Sequence, residues 1–123
     1  MDRKKILLVE DQADLIEMLK LSLEAIDYEI ITAADGEEGL KKTRKESPNL
    51  ILLDVMMPKM NGYQVCRELK KDEATKKIPV IMLTAKGQQS DKFWGKETGA
   101  DEYVTKPFDM DELMEKIRGL LNS

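Results

Sequence analysis

The chain has 123 residues and no histidine. That absence removes Ser-His-Asp and Cys-His catalysis and every histidine-ligated zinc or iron site. A single cysteine, Cys66, rules out an internal disulfide and is expected to be a small core or boundary residue. No apolar run approaches the length a bilayer requires. Met1-Asp2-Arg3-Lys4-Lys5 leads straight into a strand-like segment without a secretory leader, so a cytoplasmic protein is expected. A broad basic surface is also missing: the formal net charge is -4 with the signs interspersed, which argues against direct contact with nucleic acid. A glycine-rich phosphate loop is missing after the first apolar run, where the acidic Glu10-Asp11-Gln12-Ala13 stands instead. One domain spanning residues 1–123 is expected, with room for a core but none for a second folded unit.

What is present is an alternation of short apolar runs with amphipathic stretches, the pattern of a parallel sheet covered by helices on both faces. Strands are predicted over residues 5–10, 29–33, 49–53, 79–83 and 102–105, and helices over 13–26, 36–46, 62–72, 88–98 and 109–121. Asp35-Gly36, Ser47-Pro48, Asn61-Gly62 and Gly99-Ala100 punctuate the joins, and Asp109 is a cap for the last helix. In the first helix Ile16, Leu19, Leu23 and Ile26 recur at helical spacing and can cover the sheet. Leu15 and Met18 lie on a neighbouring stripe, as a docking surface, as part of a broad buried face or as ordinary exposed apolar residues.

The chemistry gathers at strand ends. The run Ile6-Leu7-Leu8-Val9 closes on Glu10-Asp11, and Leu50-Ile51-Leu52-Leu53 closes on Asp54. In a parallel sheet all strand carboxyl ends share one edge, so these acids converge there and repel one another unless a cation sits among them. Oxygen-only ligation suits magnesium, and magnesium beside a lone aspartate suggests phosphoryl chemistry. Val80-Ile81-Met82-Leu83 ends on Thr84 and Tyr103-Val104-Thr105 ends on Lys106, supplying a hydroxyl and an ammonium that can hold two phosphoryl oxygens.

Val9-Glu10-Asp11, Leu53-Asp54-Val55-Met56-Met57-Pro58, Leu83-Thr84-Ala85 and Lys106-Pro107-Phe108, in this order along the whole chain, resemble the signature of the response-regulator receiver domain of two-component signalling, of the chemotaxis-regulator type. The resemblance implies a flavodoxin-like (βα)5 three-layer α/β sandwich with a parallel sheet in the order 2-1-3-4-5, a topology for which the chemotaxis member of the family is a standard example. It implies that Asp54 is the phosphoacceptor, taking a phosphoryl group from a histidine kinase or histidine phosphotransfer protein. Glu10, Asp11, Asp54 and the backbone carbonyl of Met56 are then the ligands of Mg2+, with Mn2+ as a substitute. Many members carry Asp where this chain has Glu10. The resemblance further implies Lys106 pairing with Asp54 or the phosphoryl group, a cis bond before Pro107, Thr84 and Tyr103 as switch residues, and no enzymatic activity beyond the chain's own phosphorylation and dephosphorylation. Phosphorylation would shift the population of the surface formed by the fourth helix, fifth strand and fifth helix.

Met56 and Lys86 stand at the family positions flanking the path of the hydrolytic water, so they are expected to set the lifetime of the phosphoryl group. Gln12, Leu15, Met18, Trp94 and Pro107 are the expected partner-binding residues. Phe93 and Trp94 are adjacent on the predicted fourth helix and cannot both point inward, which leaves Trp94 for an interface or for its own helix surface. A haloacid-dehalogenase-type phosphatase would need a second aspartate where Met56 stands. The remaining alternatives are a phosphorylation-independent interaction module and a receiver excised from a larger DNA-binding regulator or hybrid kinase. A stand-alone, monomeric protein that can dimerise on phosphorylation is the favoured expectation.

Overall fold

The computed structural model describes residues 3–57, 60–85 and 99–122. Five strands are present, β1 (Lys5–Val9), β2 (Glu29–Ala33), β3 (Leu50–Asp54), β4 (Val80–Ala85) and β5 (Glu102–Lys106). Four helices lie among the described residues: α1 (Ala13–Glu24), α2 (Gly36–Glu46), α3 (Gly62–Lys71) and α4 (Met110–Leu121). The helix expected over 88–98, with Phe93 and Trp94, and the lifetime residue Lys86 lie outside the described residues. All strand pairs are parallel, in the order β2-β1-β3-β4-β5 that was expected.

Burial explains the order. β3 is buried at every position and β1 at four of five, as strands covered on both faces must be. The terminal strands β2 and β5 have partly exposed positions. Side chains alternate along each strand. Ile6, Leu8, Leu50, Leu52, Ile81, Leu83 and Val104 therefore pack with Leu19 and Leu23 of α1 and Leu113 and Ile117 of α4. Leu7, Val9, Ile51, Leu53, Val80 and Met82 pack on the opposite face with Leu40 of α2 and Val65, Cys66 and Leu69 of α3. Cys66 is a buried core residue, as expected.

Local signals start the helices. The Asp35 side chain accepts from Glu38 N at 2.8 Å, and Asn61 and Gln64 form a reciprocal capping box. Asp109 accepts from Asp111 N at 2.8 Å. Two boundaries differ from the sequence prediction by two residues, and the others agree to within one. α1 stops at Glu24, and a turn through Asp27 at φ 74 follows, so Ile26 leaves the sheet-covering stripe and is 44% exposed. β4 runs on to Ala85 because β5 continues to pair with it, Thr84 opposite Thr105 and Ala85 opposite Lys106.

Candidate functional site

Parallel register brings the strand-end residues to one edge of the sheet. Val9 is paired with Leu53, and Asp54 with Leu83, so Glu10, Asp54 and Thr84 fall beside one another. Glu10, Asp11 and Asp54 each offer a carboxylate oxygen within 4.8 Å of the others. Asp54 is 3% exposed and Glu10 fully buried, whereas Asp11 is exposed. Lys106 Nζ donates to Asp54 Oδ1 at 3.0 Å and to Glu10 Oε1 at 3.1 Å. The Lys106-Pro107 bond is cis, and Thr84 is buried at 1% exposure. Met56 N approaches Asp54 Oδ1 at 3.4 Å, a long contact, and the Met56 side chain is 63% exposed.

The sequence paired Lys106 with Asp54 or a phosphoryl group; the second bond, to Glu10, is new. Glu10 Oε2 also accepts from the backbone N–H groups of Asp11 and Gln12, at 3.1 and 3.0 Å. Gly62 was read only as turn chemistry, but it abuts the phosphoacceptor candidate. Its N–H donates to Val55 O at 3.0 Å, and a Cβ there would run into the Asp54 carbonyl oxygen. Only glycine lets α3 begin against the end of β3.

The response regulator receiver domain model matches residues 6–118. The chain belongs to this family. It is 52% identical over 120 residues to the transcriptional regulator ycf27 of Cyanophora paradoxa, covering 98% of this chain and 49% of that protein. The receiver chain thus spans about half the length of the curated relatives it matches. A response regulator from Chloroflexus aurantiacus has a similar structure, with a TM-score of 0.95 at 37% identity over 99% of this chain and all of that one. The receiver domain of the sensor histidine kinase PA1611 from Pseudomonas aeruginosa matches with a TM-score of 0.91 at 29% identity, over 99% of this chain and all of that chain. That structure has a magnesium ion coordinated in its active-site cleft.

Charge in this receiver's cleft is unevenly compensated. Burial pushes the Glu10 carboxyl up; the Gln12 N–H draws it back, and the nearby Asp54 charge adds to the rise. Burial opposes the Lys106 ammonium, yet its bonds to Asp54 and Glu10 outweigh that and raise its pKa. Tyr103 packs against the α2–α3 face with its hydroxyl buried and no hydrogen-bond partner among the described residues. Burial, and secondarily Cys66, raise the pKa of that hydroxyl.

Beside the cleft the receiver has a largely apolar groove of about 320 Å³ lined by Gln12, Leu15, Met18, Lys106, Pro107 and Phe108. It unites four of the expected partner-binding residues, Gln12, Leu15, Met18 and Pro107; the fifth, Trp94, lies outside the described residues. Leu15 packs partly into the core while Met18 stays 42% exposed. No described helix is long and apolar enough to cross a membrane.

Proposed function

We propose that this receiver takes a phosphoryl group on Asp54 from a phosphohistidine carried by a histidine kinase or histidine phosphotransfer protein. The observation that carries this reading is Lys106 Nζ held 3.0 Å from Asp54 Oδ1, beside two further carboxylates at one edge of a parallel sheet. An Asp54 oxygen attacks phosphorus, the phosphorus–nitrogen bond breaks, and the imidazole leaves with the electron pair and picks up a proton. Asp11, Asp54, the Met56 carbonyl and Glu10 are the groups that would hold Mg2+, or Mn2+ in its place. Three carboxylates with one ammonium suit a hard divalent cation. When bound, the ion offsets the repulsion between carboxylate and phosphoryl group. Lys106 and the Thr84 hydroxyl then each bond one phosphoryl oxygen.

The donor docks in the groove between α1 and the Lys106-Pro107-Phe108 segment, whose lining is next to the acceptor. Output follows from a population shift in which Tyr103 and Thr84 move together, the Tyr103 hydroxyl having no hydrogen-bond partner among the described residues. The protein acts as a cytoplasmic signalling domain, one receiver over residues 1–123, and catalyses only its own phosphoryl gain and loss. Its net charge of -4 assigns contact with DNA to another domain or protein. The curated relatives named as transcriptional regulators make gene control a fitting output.

The deciding experiment is intact-protein mass after incubation with acetyl phosphate, with and without Mg2+. A single Mg2+-dependent phosphoryl adduct on the parent, absent from Asp54→Asn, is the expected result; no adduct under any condition would overturn the reading. By the family positions they occupy, apolar Met56 and long Lys86 are the side chains expected to shield the adduct from water. Met56→Asn combined with Lys86→Glu should therefore lose phosphate about tenfold faster than the parent, measured as decay of the mass adduct.

A further inference from the structure

Met56, Met57 and Met60 all fall in the short stretch between Asp54 and Asn61. Burial separates them. Met57 and Met60 pack against the core face shared by α2 and α3, whereas the Met56 side chain is 63% exposed. The Met56 backbone N–H lies 3.4 Å from Asp54 Oδ1, so an exposed thioether stands beside the acceptor. Elsewhere Met82 is fully buried, Met110 and Met114 pack against the opposite core face, and Met18 is 42% exposed in the groove beside the cleft. A thiol is ordinarily oxidised more easily than a thioether, but the one cysteine, Cys66, is fully buried and out of reach. An oxidant arriving from solvent therefore meets Met56 first among the described residues. The three carboxylates of the cleft also select the oxidant: their charge repels anions and leaves a neutral peroxide unhindered.

We propose that Met56 is a redox modification site, where hydrogen peroxide converts the thioether to a sulfoxide and so shortens the life of the phosphoryl group on Asp54. The sulfur lone pair attacks one peroxide oxygen, and the sulfur–oxygen bond forms as the oxygen–oxygen bond breaks. The hydroxide that leaves takes the proton from the transferred oxygen and departs as water; sulfur is oxidised and the peroxide reduced. No backbone atom changes, so the Met56 carbonyl stays available to the cation. What changes is the side chain, from an apolar shield to a polar hydrogen-bond acceptor. The sulfoxide oxygen accepts from the water that attacks phosphorus and holds it in line, so hydrolysis quickens. Because the Met56 side chain is largely exposed, the new polar group costs the fold little, unlike a sulfoxide on Met82 inside the sheet. The signal is thereby shortened under oxidising conditions and restored when the sulfoxide is reduced.

The inference rests on the phosphoacceptor reading for its effect on lifetime, whereas the site of oxidation is tested without it. After brief exposure of the parent chain to hydrogen peroxide, fragment-ion mass mapping should place the first added oxygen on Met56, ahead of Met18 and Met57. Treated parent, then phosphorylated with acetyl phosphate and Mg2+, should lose its adduct about fivefold faster than untreated parent, the factor that one net hydrogen bond to the attacking water supplies. Methionine sulfoxide reductase should return the original decay. In Met56→Leu the decay should not respond to peroxide, while Met18→Leu should respond as the parent does. The denaturant midpoint of treated parent should match that of untreated parent. First oxidation at Met18 or Met57 would overturn the proposal. So would a decay that is unchanged or slower once Met56 carries the oxygen, one that quickens only with a lowered midpoint, or an equal response in Met56→Leu. A parent that takes no phosphoryl group in any condition would retire the phosphoacceptor reading and the lifetime effect with it, and the mass map alone would then decide whether Met56 is the oxidised site.

Discussion

At the amino end of the sheet, Asp101 Oδ2 accepts from Val80 N at 2.8 Å and from Lys70 Nζ at 3.1 Å, and the same ammonium reaches Ile78 O at 2.8 Å. Asn49 Oδ1 accepts from Lys5 N at 2.8 Å, and Lys5 Nζ pairs with Glu46 at 3.4 Å. Each polar group there closes a strand start or a loop carbonyl. At the carboxyl end, by contrast, three carboxylates crowd within 4.8 Å of one another around the Lys106 ammonium, and the Asp11 side chain has no partner among the described residues. Nothing about strand chemistry demands this asymmetry. One end uses polar groups to satisfy backbone, which stabilises the fold, whereas the other stores like charges that only a cation or an incoming reaction can relieve.

Exchanging one acid at each end should separate the two roles most widely. Asp54→Asn should abolish the Mg2+-dependent phosphoryl adduct while leaving a cooperative denaturant transition. Asp101→Ala should keep the adduct and lose about 1–3 kcal/mol of stability, because the Val80 N–H and Lys70 lose their acceptor. Equal phosphorylation, or equal stability loss, in the two variants would erase the distinction.

The next effect is smaller and opposite in sign. Asp11→Asn removes a charge that has no partner among the described residues from the acidic cluster, so in chelator-treated buffer its melting temperature should rise above the parent's. Saturating Mg2+ should reverse the order, because the ion binds and stabilises the parent more. A melting temperature that falls in chelator would mean that Asp11 serves structure, as Asp101 does.

A third test concerns the one buried hydroxyl on β5 without a described partner. Tyr103→Phe should change stability by no more than about 1 kcal/mol, with either sign admissible only within that limit, since no hydrogen bond is lost. A larger loss in denaturant unfolding would reveal a resting-state bond to Tyr103.

The legibility of these ends from sequence was unequal for a physical reason. β2 and α2 were predicted to their terminal residues, since Asp35-Gly36 starts the helix and a short apolar run has no neighbour competing for its ends. The convergence of Glu10, Asp11, Asp54, Thr84 and Lys106 was also readable, because strand carboxyl ends share an edge whatever the register. What depends on register and side-chain length was not. The Glu10–Lys106 bond spans 96 positions, and no local pattern in the sequence signals it. Asp101 drew no attention in the sequence, and its bond to Val80 N exists only because β4 and β5 are neighbours. Ile26 failed for the simplest reason: helical spacing continues arithmetically after the helix has stopped.

The smallest expected effect is a pair of opposing slopes against pH. At the amino end Asp72 is held below the usual carboxylate range, chiefly by the Ala74 N–H and then by Arg44. Its stabilising contribution is present above its unfolded value of 3.8 and fades as pH falls through the lower folded value. At the carboxyl end burial raises Glu10, so its contribution is complete below 4.5 and fades as pH rises through the folded value. The stability of Asp72→Asn relative to the parent should therefore fall as pH climbs through the range just below 3.8. That of Glu10→Gln should rise as pH climbs from 4.5, both followed by urea unfolding in chelator. Slopes of the same sign would show that both ends are tuned for folding alone; opposite slopes would mean that the ionised Glu10 is kept at a cost to stability, for the sake of the lysine it holds.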